Sequence, residues 1–455
     1  VARPQQVYVC QSCGAVHGRW AGRCEQCGAW NTLVAEVAPR QPGGVARRRS
    51  VAVELVDLAG SSAPLKRLAT GIAELDHVLG GGLVPGSAIL LGGDPGIGKS
   101  TLTLQAAAAL ARAGQSVVYV SGEEAVDQIR LRAQRLDLGD APVKLAAAVD
   151  VEALLGSLGG GDAPDLLIID SIQTMRLEAL EQSGGSVGQL RACADALVRH
   201  AKRTGCVVLL IGHVTKDGQI AGPRLLEHMV DAVVYFEGDR GHAFRILRAV
   251  KNRFGPANEI GVFEMREGGL VGVPNPSALF LSDHDASVPG SAVFAAVEGS
   301  RPLLVEIQAL VTPGPPGSPR RAAVGLDSGR LAMLLAVLEG RCGLVMAGRD
   351  VYLNVAGGLR VQEPAADLAV ALAILSSVAA CPAPRGTVAL GEIGLAGEVR
   401  SVGHLEIRLR EASRLGFTRA VLPAGQAVPD TPLAVTPVRR VADLLDLFSG
   451  AQSGA

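Results

Sequence analysis

Eight residues, Gly93-Asp94-Pro95-Gly96-Ile97-Gly98-Lys99-Ser100, restrict what this chain can fold into more than any other feature. They match G-x-x-x-x-G-K-[ST], follow the apolar run AILL and precede a helical pattern that opens at Lys99. Such a loop needs a strand behind it and a helix N-terminus ahead of it, because that geometry turns successive backbone N–H groups toward one phosphate. The reading is an ATP site in which N–H groups from Gly96 to Ser100 wrap the β-phosphate, Lys99 reaches the β/γ oxygens and Ser100 binds Mg²⁺. Gly93, Asp94, Pro95, Gly96, Ile97, Gly98, Lys99, Ser100 and Thr101 make up the cradle.

Around the loop, from about residue 65 to 270, the runs SAILLGG, SVVYVSG, DLLIIDS, CVVLLIG and DAVVYFEG alternate with helical stretches at 102–113, 127–135 and 187–203. That alternation predicts an α/β fold with a parallel sheet covered by helices. Ligands of such sheets bind at the carboxyl ends of the strands, so the residue closing each run matters. LLIID ends in Asp170, placed to hold Mg²⁺ or its water. The run at 117–120 leads into Glu123-Glu124; Glu123 is the preferred group to polarise the attacking water, and Glu124 reads as a solvated acid at a helix start. His213, after CVVLLIG, is either a sensor of the γ-phosphate or a capping residue.

Four of the eight cysteines fall in two C-x2-C pairs, Cys10/Cys13 and Cys24/Cys27, ten residues apart, each pair followed by Gly. Four thiolates from two tight turns suit tetrahedral zinc, and about one structural Zn²⁺ per chain is expected. Two disulfides or a redox dithiol are the alternatives, disfavoured in an intracellular protein. Cys193, Cys206, Cys342 and Cys381 stand among apolar neighbours and read as buried small hydrophobes.

The Pro-, Gly- and Arg-rich stretch PRQPGGVARRRS and a second joint at VPNPSALFLSDHDASVP divide the chain into a four-Cys module at 1–38, a basic linker at 39–60, an ATPase domain at 61–272 and an α+β domain at 273–455. The formal net charge of −1 argues against a uniformly basic nucleic-acid coat, yet residues 1–50 hold seven Arg against two Glu. Aromatics at 3% argue against a lectin-like or aromatic-caged surface. The N-terminus lacks a signal-peptide core, and the apolar stretch 368–381 is too short to span a bilayer, so a cytoplasmic protein without membrane contact is expected. The chain opens on Val1 rather than Met, an expectation that its true start lies upstream.

With these residues in place, the chain resembles the RecA-type ATPases and, most closely, the RadA (Sms) family of bacterial DNA repair proteins. The resemblance rests on the four-Cys module ending in CGAWNT, the GDPGIGKS loop, the YVSGEE strand and Lys251-Asn252-Arg253-Phe254-Gly255, and it covers nearly the full length. KNRFG is also similar to the K-x-R element of hexameric helicases. That similarity implies that Lys251 and Arg253 reach the γ-phosphate held by a neighbouring subunit, and hence a ring, a hexamer by family resemblance. Two fixed cations near a transferring phosphoryl group stabilise its developing charge on independent physical grounds. The alternative is a basic surface strand end.

The stretch from about 290 onward resembles the peptidase domain of the Lon protease, most clearly at GEIGLAGEVR and VGHL. Ala365 stands where Lon has its nucleophilic serine and Glu406 where it has its lysine, which implies a scaffold with a basic surface (Arg320, Arg321, Arg341, Arg349, Arg360) rather than a protease. Ser376 and Ser377, inside an apolar helix, read as core.

The family implies an ATP-dependent motor on single-stranded and branched DNA, driving branch migration or processing of recombination intermediates beside a RecA-type recombinase. In RecA-type rings the loops after the Asp170 and His213 strands face the channel, here 173–188 and 216–224, with Lys216 and Arg224 as the DNA phosphate contacts. An ATP-dependent protease, a self-phosphorylating or signalling ATPase of the circadian-clock type, and a non-enzymatic DNA scaffold are the competing readings. Each leaves a part of the sequence unexplained: the missing dyad, the zinc and KNRFG, or Lys99, Ser100 and Asp170.

Overall fold

A computed structural model describes residues 6–10, 15–37, 66–159, 163–180, 182, 185–213, 225–238, 244–279, 281, 288–315 and 319–449 of the 455-residue chain. Cys13, Lys216, Arg224 and the linker at 39–60 lie outside the described residues. The chain forms two compact units, Val1–Val273 and Pro274–Ala455.

The first unit begins with a small antiparallel sheet of β1 (Gln6–Cys10), β2 (Val16–His17) and β3 (Leu33–Val37), in the order β2-β1-β3. Its core is little more than Cys10, Cys24 and Leu33, with Tyr8, Ala15 and Ala21 packed against them. So small a core does not hold a fold by itself.

The rest of the first unit is built on a nine-stranded sheet. Its strands are β4 (Ala88–Gly93), β5 (Val117–Ser121), β6 (Lys144–Ala147), β7 (Leu166–Asp170), β8 (Val207–Ile211), β9 (Ala232–Glu237), β10 (Phe244–Asn252), β11 (Ile260–Arg266) and β12 (Gly269–Gly272). They run in the order β12-β11-β10-β9-β4-β8-β7-β5-β6, parallel from β9 through β6 and antiparallel from β9 through β12. The helices are α1 (Ala73–Val78), α2 (Lys99–Arg112), α3 (Val126–Arg135), α4 (Val151–Leu158), α5 (Val187–Thr204) and α6 (Leu225–Met229).

The central strands read as unbroken apolar runs because both faces are covered. Ile89, Leu91, Ile168 and Leu209 pack on one face with Leu102 and Leu110 of α2. Leu90, Leu167, Ile169 and Leu210 pack on the other with Leu190 and Leu197 of α5. Ser121, Asp170 and Ile211 lie level across β5, β7 and β8, and Ile211 lies level with Leu91 of β4. Residues up to 120 positions apart in sequence therefore share one sheet edge.

The second unit is a seven-stranded mixed sheet in the order Arg321–Val324, Arg349–Val355, Arg301–Pro313, Ser291–Glu298, Thr387–Ala389, Arg419–Pro423, Ala434–Val438. Its central helix, Asp367–Ala379, is buried from Asp367 to Ser376 and follows a 3₁₀ turn at Pro364–Ala366. Ser376 is fully buried and caps locally: Gly290 N–H donates to its Oγ (2.9 Å), which donates to the Cys381 carbonyl (2.6 Å). Ser377 is part-buried and takes the Val311 N–H (2.9 Å). Cys193 and Cys206 are buried, whereas Cys342 and Cys381 are only half-buried, which corrects the expectation of four buried thiols.

Candidate nucleotide and zinc sites

The loop between β4 and α2 has the backbone that a phosphate cradle requires. Gly98, the residue before α2, has φ 119°, and a Cβ there would meet Met265 Cε at 3.0 Å and Leu270 Cδ1 at 3.1 Å. At Gly96 (φ 79°) a Cβ would meet nothing within 4 Å, so the loop encloses open space beside its N–H groups. Lys99 is 4% exposed, and its Nζ bridges the loop by donating to the carbonyls of Gly93 (2.7 Å) and Asp94 (2.9 Å). Burial pushes its amine down to about 8, against the opposing charges of Asp170, Asp94 and Glu123. Ser100 and Thr101 occupy the first turn of α2 and are half-buried.

Asp170 closes β7 and is 6% exposed. Tyr119, fully buried on the neighbouring strand, donates its hydroxyl to Asp170 Oδ2 at 2.5 Å. Burial, followed by the charge of Asp170, raises the Tyr119 phenol far above its ordinary range, so it stays a donor. Glu123 follows β5 and meets two donors on the same oxygen: Ser171 Oγ lies 2.6 Å and His213 Nε2 3.2 Å from Oε1. Burial pushes the Glu123 carboxyl up, but the hydrogen bonds from Ser171 and His213 and the charges of His213 and Lys99 outweigh it and hold it below the usual range. Gln173 Nε2 donates to the His213 carbonyl (3.2 Å), tying the β7 and β8 exits together.

Two expectations change here. Glu124 is not a solvated acid: it pairs with Arg132 of α3, and both side chains are at most a third exposed. The His213 ring contacts Glu123, a partner that neither the sensor nor the capping reading named. Ser171 and Tyr119 join the site without standing out in the sequence. The only available signal was Ser171's place directly after Asp170 and Tyr119's place two residues before Ser121 on a strand that had to neighbour β7.

Lys251 and Arg253 lie away from this cluster. Lys251 is level with Val233 of β9, which is level with Leu90 of β4; Asn252 is likewise level with Ala232 and Ile89. β4 then continues through Leu91, Gly92 and Gly93 before its loop begins. Lys251 Nζ donates to the carbonyls of Glu227 and Val230 (both 2.7 Å) at the end of α6, and burial together with Arg253 lowers its amine. Arg253 Nη1 lies 3.3 Å from Asp231 Oδ1, while Asp231 Oδ2 accepts from Lys202 Nζ (2.6 Å) and from the N–H of Ala88 (3.0 Å), the first residue of β4. The two cations thus stand at the amino-terminal edge of the sheet and the phosphate loop at the carboxyl-terminal edge.

In the second unit, Ala365 is 5% exposed and its carbonyl accepts from the Gly391 N–H (2.9 Å). Glu406 is exposed and paired with Arg410 (2.5 Å). Glu363 and Asp367, on either side of Ala365, are committed to Arg408 and Arg330. Burial raises the Asp367 carboxyl despite its bonds from Arg330 and the Ile393 N–H. Of the basic set, Arg320, Arg321, Arg341 and Arg360 are exposed; Arg349 is half-buried, and Arg321 is spent on the carbonyls of Arg349 and Met346.

Around the cysteines, the Sγ atoms of Cys10, Cys24 and Cys27 lie within 4.8 Å of one another, with Cys10 and Cys27 3.7 Å apart. Gly28 N–H donates to the Cys24 carbonyl (2.9 Å), closing the second turn with Gly28 at φ 75°. Three converging sulfurs without a disulfide among them fit a thiolate metal site.

Residues 8–35 match the family described as rubredoxin metal binding domain, 57–219 the AAA domain, and 332–426 subunit ChlI of Mg-chelatase. The chain is 53% identical over 465 aligned residues to the DNA repair protein RadA of Brucella abortus (strain 2308), covering 100% of both. It belongs to the RadA family of DNA repair proteins. RadA of Bacillus subtilis (strain 168) is 47% identical over 93% of each chain, and that of Pseudomonas aeruginosa 47% identical over 98% of this chain and 99% of that one. Among solved structures, a RadB recombinase aligns with TM-score 0.37 and 23% identity over 45% of this chain and 99% of that one. The chain accordingly joins an AAA-type ATPase domain to an N-terminal metal-binding ribbon and a C-terminal segment that matches the ChlI model. Among the described residues, no helix is long and apolar enough to cross a membrane.

Proposed function

We propose that this RadA family member is an ATP-driven motor on single-stranded and branched DNA, working as a closed ring, a hexamer by analogy with related helicases, beside a RecA-type recombinase. The observation that carries this reading is the position of Lys251 and Arg253 at the sheet edge opposite their own phosphate loop. Cations so placed cannot complete the site of their own protomer; a head-to-tail neighbour brings them to the next one. In each shared site Lys99 holds the β/γ-phosphates and Glu123, pinned by one oxygen, orients the attacking water. Ser100 and Asp170 would hold Mg²⁺, which would neutralise charge on the phosphate oxygens. Tyr119 donates to Asp170 Oδ2 and fixes the orientation of that carboxylate.

Lys216 and Arg224 remain the proposed phosphate contacts of the channel. The Lon-like domain serves as scaffold: Ala365 and Glu406 offer neither nucleophile nor base, and the carboxylates flanking Ala365 are neutralised in ion pairs. No peptidase activity is expected with any nucleotide.

Mixing tests the shared site. Lys251→Ala and Asp170→Ala proteins are each expected to be inactive. Co-assembled in equal amounts, about a quarter of their interfaces join an intact nucleotide side to an intact finger side, in a closed ring of any size. ATP hydrolysis should return to that fraction of the parent rate. Mixed rings that stay inactive would overturn the reading.

A further inference from the structure

The zinc ribbon carries an aromatic surface that the proposed channel lacks. The chain has two tryptophans, Trp20 and Trp30, and both are in this module, 57% and 69% exposed. Tryptophan is normally well buried, so two open indoles in a module with so small a core call for a partner. Their placement is built, not incidental. Arg23 and Trp30 pair as an antiparallel bridge on either side of the Cys24–Cys27 turn, and the Asn31 N–H donates to the Gly22 carbonyl (2.8 Å). Trp30 Cζ3 and Trp20 Cη2 lie 3.9 and 4.0 Å from the point a Cβ on Gly22 would occupy, so both rings border the same glycine.

The cations alternate with the rings. Arg23 Nε donates to the Gly28 carbonyl (3.0 Å), and its guanidinium sits 5.8 Å from the Trp30 ring centre. Arg19, next to Trp20, is exposed. The first fifty residues add up to +5. Indoles interleaved with fixed arginines match a chain that alternates flat bases with phosphates, whereas a neutral apolar partner would leave the arginines unpaired. Loops 173–188 and 216–224, by contrast, contain no aromatic residue.

We infer that Trp20 and Trp30, held by the zinc turn and flanked by Arg19 and Arg23, form a base-stacking site for single-stranded DNA. The inference rests on the single-stranded DNA reading above and adds a second contact point to it, one that grips bases while the channel grips phosphates.

Because the chain has no other tryptophan, its intrinsic emission reports this site alone. The zinc-loaded full-length protein is titrated with fluorescein-labelled oligothymidylate while tryptophan emission and fluorescein anisotropy are recorded together. Emission should be quenched in step with the anisotropy rise. Trp20→Ala and Trp30→Ala should each weaken binding by about tenfold with zinc content unchanged, and the Trp→Phe versions should keep most of the affinity. Binding by anisotropy with unquenched emission overturns the inference and spares the DNA reading. So does parental affinity in the alanine variants, including the case in which they instead lose a protein partner. Absence of any anisotropy change removes the DNA reading and this inference together.

Discussion

Lys99 offers the sharpest quantitative test of the nucleotide site, because its charge is held where water is scarce. Burial takes its amine from an ordinary 10.5 to about 8, so carrying the proton in the nucleotide-free protein costs about 3 kcal/mol relative to the unfolded chain. The sign follows from proton counts. Between about pH 8 and 10.5 the unfolded chain binds more protons than the folded one, so this group's contribution to stability rises with pH through that window and the penalty is complete below it. Nucleotide phosphates beside the amine reverse the penalty and draw the proton back. Above about pH 8 a growing share of nucleotide-free sites lacks it, so ADP or ATP binding should take up protons, and more of them at about pH 8.5 than near pH 7. Calorimetric titration in two buffers of different ionisation enthalpy measures that uptake, with Lys99→Met as the control that abolishes the site-specific part. The variant should be at least as stable as the parent without nucleotide, by up to about 3 kcal/mol, and inactive in hydrolysis. Equal proton uptake in parent and Lys99→Met would refute both the buried charge and its role at the phosphates.

Other perturbations separate the remaining parts. Glu123→Gln should cut hydrolysis by about 10²- to 10⁴-fold while nucleotide binding persists, measured by single-turnover assay and titration. Ser171→Ala should retain activity but move the acid limb of the kcat profile to higher pH, since the Ser171 bond helps hold the Glu123 carboxyl low; an unmoved limb in a protein killed by Glu123→Gln would remove the positioning role. Metal analysis should find about one zinc per chain, lost in Cys24→Ser together with the module's protease resistance. Arg330→Ala strands the buried Asp367 carboxylate and should destabilise the C-terminal unit by about 3–5 kcal/mol in denaturant unfolding.

What could be read from the sequence was what is local along the chain. The phosphate loop is legible because eight consecutive residues carry the whole geometry, and the parallel sheet is legible because strands covered on both faces show as unbroken apolar runs. Contacts across strand order are not local. Tyr119 to Asp170 and Ser171 to Glu123 both require β5 and β7 to be neighbours in register, which sequence spacing does not encode. The two ion pairs flanking Ala365 join residues 37 and 45 positions apart, and no pattern of charge along the chain singles out Arg330 for Asp367 or Arg408 for Glu363. A 3% aromatic content averages over the chain and does not show that, among the described residues, the two exposed indoles, Trp20 and Trp30, stand together beside the cysteine turns.

KNRFG shows how a motif can be recognised while its mechanics stay hidden. Its letters allow two cations near a phosphate, but only the antiparallel course of β10 along β9 carries them to the far edge of the sheet. The motif's other residues then serve the turn: Asn252 Oδ1 accepts from the Phe254 N–H (2.9 Å), Arg67 donates to the Phe254 carbonyl (2.6 Å), and Lys202 lies 6.0 Å from the Phe254 ring centre. The same Lys202 shares Asp231 with Arg253. Asp231 is a buried carboxylate with three donors, so withdrawing the guanidinium toward a neighbouring site leaves it bonded to Lys202 and to the Ala88 N–H. The cost of moving Arg253 is therefore that of one half-exposed ion pair, about 1 kcal/mol or less, and not that of orphaning a buried charge. In the proposed shared site Arg253 would serve a neighbouring protomer, a role that needs a partner it can give up cheaply, and Asp231 with its second cation is such a partner.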